Sequence, residues 1–511
     1  MMQGVYAVPR VTLEANGQTL SPASVQMLEE VRVQQRLSMP AMCELTFRHP
    51  PGSPDVAARL ERGAALVVRV GEGAGELFSG QVTVHETVYG PAAGQQLIVR
   101  AYDLLHRLRK RQPVRAHVQV TLRDLAQELV GDLGLDVAAD DSGPLWPILI
   151  QHGQSDLEIL AEVAAESGVY LVLRGRTLHL VTLEGADWGR GDAASLALGR
   201  NLLEARFVVS GESATRSVTA QGWNPLIAEA YEGRAEAAGA TRQVEPGVVG
   251  GTGERALVGE VALDNRHAEA IARGELERRV AGGITFWGVA EGNAELQPGT
   301  RVEVSNVAEE LQRRYVLTAV THTLDHVRGY VSELSSAPIV PEGKDGQGCG
   351  PAAIALGRVT RVDDPDHLGR VRVSLPTYGE VETEWMHVLS AGAGANKGLT
   401  ILPDVEDRVL VLFTHGDPGQ GVVLGGLYGM QGAPDSGVEG RAVRRYTLLT
   451  PGGQRITLDD AQQTARIENS DGSYVELSPQ VVRVHADTDL HLEAPGREVL
   501  IRGQKINFER A

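Results

Sequence analysis

The stretch from Arg444 to Ala511 constrains the fold most, because pairs of apolar residues recur there about every eight positions. The pairs are Ile456 and Leu458, Val475 and Leu477, Val482 and Val484, Leu490 and Leu492, Val499 and Ile501, and Ile506 and Phe508, with Ile467 inside the longest gap. Side chains alternate faces along a strand, so each pair is one face of a strand of four or five residues. Polar partners such as Thr457, Glu476, Arg483, His491 and Arg502 fall on the other face. A strand this short buries two side chains and no more. One copy alone leaves a narrow apolar ladder in water and its strand edges unpaired, whereas several copies wound about one axis bury the ladders and close the edges. The expected structure over 444–511 is an intertwined trimeric β-helix with these apolar residues on its axis. The competing expectation, a flat β-meander, is disfavoured by the strict polar alternation.

Upstream the strands are longer. From Tyr6 to about Leu334 most segments alternate with period two, as in Ala64–Val70, Gln96–Tyr102 and Arg301–Val307. Three helices interrupt them. Thr121 with Asp124 and Ser155 with Glu158 form capping boxes that open the first two, and the third is expected over about Asn265 to Ala281, stopped by Gly282 and Gly283. The fold class is therefore mainly β with helical insertions. Residues 1–334 read as a hub of small β-barrels with α/β insertions, and 335–352, rich in Pro and Gly, as a linker. In 353–429, about five short strands suit an oligomer-binding (OB) barrel, followed by a turn-rich bridge, 430–443.

Of 511 residues, 48 are basic and 66 acidic, a formal charge of -18, which argues against nucleic acid or anionic membrane as a main partner. Glycine, at 60 residues, is about 12% of the chain against a usual level of about 7%. Many turns result. No basic flank precedes a long apolar run near Met1 and no 18-residue apolar stretch occurs, so a soluble chain without a Sec-type signal is expected. Cys43 shares a strand face with Ala41, Leu45 and Phe47 and reads as a buried hydrophobe; Cys349 lies in the linker, so no disulfide framework is expected.

Candidate chemistry is sparse. Asp363, Asp364 and Asp366 could bind a cation or act as acid and base, but Pro365 and Gly369 make a hairpin turn in which Asp bonds its own backbone. Asp417, before Pro418, reads the same way. His322 and His326 are four apart, a zinc spacing on a helix, yet their segment reads as a strand and its turn. His485 and His491 would each recur three times about a trimer axis, but both alternate out of phase with the apolar pairs. Gly247–Glu254 lacks the Lys-Ser/Thr of a phosphate loop and reads as flexible linker, and no nucleophile elbow occurs. No catalytic residue, cofactor or metal is expected.

Four stretches in order resemble one family. Gly357–Pro376 is similar to a barrel hairpin in which an Asp-Pro turn leads into Gly-Arg-Val-Arg-Val, and Ile401–Gly429 to a strand, Gly-Asp-Pro turn and strand ending in Gly-x-Tyr. Thr450–Asp460 resembles the start of a spike helix, and Gln154–Leu173 a helix-plus-strand signature of a hub. The family is that of VgrG proteins of type VI secretion and the hub and spike of contractile phage tails. The resemblance implies a non-enzymatic homotrimer that caps a tail tube and pierces a target envelope when a sheath contracts. It further implies tail tube protein, baseplate proteins, a small PAAR-type tip protein and effector cargo as partners, transient contact with the target membrane and none with nucleic acid. Assembly in the bacterial cytoplasm, with release in extracellular particles, goes with it. About fifteen residues separate Gly429 from Arg444, too few for the lysozyme domain of some phage spikes, and the chain stops soon after its last strand. The first departure counts against a spike-associated cell-wall hydrolase, the second favours an extracellular phage-tail-like particle or a phage baseplate over a VgrG effector carrier, and scarce aromatic residues weigh against a carbohydrate-binding adhesin.

Overall fold

In the first of two compact units, Met1–Gly426, the spine is an eleven-stranded sheet in which every neighbouring pair is antiparallel. Across it lie, in order, Leu202–Val209, Ile284–Glu291, Gly329–Ser335, Ala319–Asp325, Leu28–Arg36, Met42–Arg48, Gly94–Tyr102, Gly75–Gly90, Ala65–Val70, Val11–Ala15 and Gln18–Thr19. The computed structural model describes residues 9–48, 56–71, 75–90, 94–139, 143–185, 194–236, 250, 252–339 and 353–509.

Two cores line this sheet. Leu13, Val33, Leu45, Phe47, Leu66 and Val99 pack together toward one end, with Cys43 fully buried among them as its strand phase requires. Leu202, Phe286, Tyr315, Val320 and Leu334 pack toward the other. The barrels read from the sequence therefore share a sheet, joined where Ala319–Asp325 pairs with Leu28–Arg36.

Both capping boxes form. Thr121 and Asp124 exchange hydrogen bonds at the start of Leu122–Val130, and Ser155 and Glu158 do so at Asp156–Glu166, each satisfying backbone N–H groups with no partner inside the helix. The third helix departs from expectation: Asn265–Gly283 runs through both glycines and passes directly into the strand Ile284–Glu291. Glycine costs about 1 kcal/mol in a helix but does not stop one without a left-handed turn, and neither residue takes a positive φ. Gly168 and Gly274 let two helices touch: a Cβ on Gly168 would stand 2.5 Å from Gly274 Cα, and one on Gly274 2.6 Å from Gly168 N.

Ser335 ends a strand within the segment read as linker, and 340–352 lie outside the described residues, as does half of the Gly247–Glu254 motif. The barrel that follows orders Val381–Glu382, Arg370–Leu375, Ala353–Arg361, Arg408–Phe413 and Gly421–Gly426, with Met386–His387 also paired to Arg370–Leu375. Its core holds Val359, Val371, Val373, Leu375, Val409, Val411, Phe413 and Val423.

The second unit is Leu427–Ala511. Its bridge carries a two-residue hairpin, Val438–Glu439 with Ala442–Val443, and Asp435 clamps Arg445 at 2.8 and 2.9 Å. Five antiparallel strands follow, Arg445–Leu449, Arg455–Asp459, Thr464–Glu468, Tyr474–Leu477 and Val482–His485, and no strand occurs in 486–509. No helix among the described residues is long and apolar enough to cross a membrane.

Candidate assembly surface

Register places the tail's apolar residues in two parallel rows. Leu448, Ile456, Ile467, Val475 and Val484 stand opposite one another across the five strands, and Tyr446, Leu458, Ala465, Leu477 and Val482 form the second row. Residues two apart share a face, so both rows lie on the same side. The sequence reading missed Tyr446, Leu448 and Ala465; the period-two spacing of Tyr446-Thr447-Leu448 and Ala465-Arg466-Ile467 was the available signal. Among the described residues none covers this face: Ile456, Leu458, Ile467, Val475, Leu477, Val482 and Val484 are 43 to 64% exposed. Leu490, Leu492, Val499, Ile501, Ile506 and Phe508 lie beyond the last strand and are exposed too.

The opposite face is polar and paired to itself. Arg466 meets Glu468 at 2.7 Å and Glu476 at 3.3 Å, and its guanidinium lies 3.9 Å from the Tyr474 ring centre. Tyr474 in turn neighbours His485, which is on this polar face. Thr457, Arg466, Glu476 and Arg483 stand in register across four strands. The less exposed side of this sheet is thus its charged one, the reverse of a strand layer with its own core.

The hub sheet has a second uncovered feature. Ala65–Val70 follows Gly75–Gly90 only as far as Gln81, so from Thr83 to Gly90 that strand has a neighbour on one side only among the described residues. At the far end, Leu202–Val209 has one strand neighbour among the described residues, Ile284–Glu291, apart from a single bridge between Leu202 and Leu198. Val84, Tyr89, Val208 and Val209 are exposed on these two edges, which carry no Lys or Pro and only Glu86, Glu204 and Arg206 as charges against strand addition.

Residues 34–327 match the phage tail baseplate hub family, GPD, and 355–428 match the type VI secretion system/phage-baseplate injector OB domain. The chain belongs to the phage tail baseplate hub family. No curated protein matches it. Among solved structures, this hub protein resembles a chain of the half-lidded Francisella PdpA–VgrG complex, at 8% identity over 94% of this chain and 89% of that one, with a TM-score of 0.55. It also resembles an E. coli component of the type VI secretion system, described as similar to T4 bacteriophage tail proteins, at 14% identity over 81% of this chain and 99% of that one, with a TM-score of 0.52. At such identities the likeness is one of fold.

The hub protein's candidate chemical residues are held as structure. Asp364 accepts backbone N–H groups of Asp366, Leu368 and Arg370, and the Arg370 guanidinium reaches it at 2.7 and 3.0 Å. Arg370 and these donors hold its carboxyl well below the usual carboxylate range. Asp417 accepts from Gly419 N at 2.8 Å, the turn read from the sequence. His322 is fully buried: Nε2 donates to Leu296 O at 3.1 Å, and Nδ1 accepts from the Ser332 hydroxyl at 2.9 Å. Burial pushes its pKa down to about 4, so it stays neutral. His326 turns instead to Leu28 O, and the pair shares no site. Among the described residues no cluster of three His, Cys, Asp or Glu could hold a metal ion.

Proposed function

We propose that three copies assemble into the hub and spike of a contractile injection system, a structural part that caps the tail tube and pierces the target envelope. The carrying observation is the two-row apolar face from Tyr446 to Val484, exposed in one chain and backed by a self-paired charged face. Threefold winding would turn three such faces inward. Residues Ile456 through Phe508 of the ladder then line the axis, and the charged rows face solvent.

The hub edges support the same symmetry. From Leu202–Val209 to Gly75–Gly90 there are eight strands, all antiparallel to their neighbours, so the first and last run in opposite directions. Rotation about an axis parallel to the strands therefore brings the free edge of one copy antiparallel to the free edge of the next, and a ring of three would pair all of these edges. Such a ring would suit the end of a tube. Tube and baseplate proteins, a PAAR-type tip, and cargo where a system carries it are the partners that follow, with assembly in the bacterial cytoplasm. The role is mechanical and no reaction is assigned.

The ring is tested by cysteine pairs in a Cys349→Ser background, Val208→Cys combined in turn with Val84→Cys, Thr87→Cys and Tyr89→Cys. At least one pair should give disulfide-linked dimers and trimers on denaturing gels. Only monomer from all three would reject the ring.

A further inference from the structure

The barrel core contains a residue that the barrel does not supply. Leu226 belongs to the hub, in the four-residue turn between the strands Ser217–Asn224 and Glu229–Glu236, yet it is buried with Ala355, Val359, Val371, Leu375 and Met386 of the barrel. The turn is built to hold it there. Asn224, itself buried, accepts the Leu226 N–H at 2.9 Å and donates its own amide to Leu263 O at 3.2 Å, which ties the turn to the segment leading into the hub helix Asn265–Gly283. Ala228, at φ 56°, closes the turn in a left-handed conformation that a non-glycine residue adopts only when its surroundings hold it.

A second contact lies on the helix-bearing part of the hub. The Tyr378 ring of the barrel packs edge-on between His152 of the hub, 5.3 Å away, and Phe413 of the barrel core, 5.7 Å away. Beside it, a Cβ on Gly379 would lie 3.4 Å from Val114, and one on Gly419 3.3 Å from Ile148 O, so the two surfaces are in close contact. Two attachment points remove the rotation that one point would allow.

We propose that the hub completes the core of the barrel through Leu226, and that hub and barrel fold and move as a single body. This does not depend on the injection reading. It is a property of the chain whatever it serves.

Hydrogen exchange on the full-length protein tests it. In Leu226→Ala, amides of the barrel strands, Val371, Val373, Val409 and Val411, should exchange faster by about thirtyfold or more, the low end for truncating a buried leucine. Leu226→Met, close in volume, should restore protection. The proposal is overturned if the barrel amides of Leu226→Ala keep wild-type protection, or if acceleration is confined to residues 217–236. Should the alanine variant not fold, Leu226→Val, a smaller truncation, carries the same comparison with the same two overturning results.

Discussion

His322 looks like half of a metal site when only its distance from His326 is counted, and the fold makes it a neutral peg between Ser332 and Leu296. Its pKa is lowered to about 4 in the folded chain, against about 6.5 for an unperturbed histidine. The unfolded chain therefore binds the proton first. The stabilisation is present above pH 6.5 and is lost as pH falls through about 4, to a total of about 3 kcal/mol. Asp103, raised to about 7 by burial, works in the opposite direction over pH 4 to 7, so the histidine contribution is read as a difference. Thermal melts of wild type and His322→Asn should diverge least at pH 5, where the wild type has lost part of its advantage, and most at pH 7.5; parallel curves would remove this role. In the tail, Ile501→Asp should damage the assembly far more than Arg502→Asp. Three carboxylates would meet in an apolar column in the first case, each costing several kcal/mol, whereas a surface change is worth about 0.5 kcal/mol or less. Heat resistance of the assembly in detergent gels decides it, and equal loss in both variants would mean the inward phase is misassigned.

At the scale of elements, local chemistry was the legible part. The capping boxes at Thr121 and Ser155 and the Asp364 turn are decided within a few residues, and they appear where the sequence placed them. The helix end at Gly282 and Gly283 was misread because a glycine pair signals a stop only when the chain must turn, and here the strand Ile284–Glu291 continues without one. Which strands pair is a long-range matter: nothing near Ala319 announces Leu28–Arg36 as its neighbour, nor does anything near Leu226 announce a place in the barrel core. In the tail the two-residue apolar spacing could be read directly, while the second row through Ala465 needed the register. Short ladders cannot offset a backbone entropy of roughly 1 to 2 kcal/mol per ordered residue, so the tail should order only in the assembly. Deleting Tyr446–Ala511 should leave circular dichroism and melting of the hub and barrel intact while injection is lost. Particles that still deliver without those residues would show that another part pierces.

For the whole molecule, the observations converge on incompleteness. The hub sheet has two strand edges left without a neighbour, one along Leu202–Val209 and one from Thr83 to Gly90, and the tail presents an apolar face that no described residue covers. A chain with a formal charge of -18 gains little from self-attraction by charge, so the proposed assembly would rest on apolar burial and strand pairing. Interfaces of that kind in permanent complexes bury roughly 2,000 Å² or more and leave no stable free subunit at working concentrations. Sedimentation of the purified full-length chain at micromolar concentration addresses this directly. A single species at three times the 54.6 kDa of one chain is the predicted result, and a stable monomer at that concentration would contradict the account.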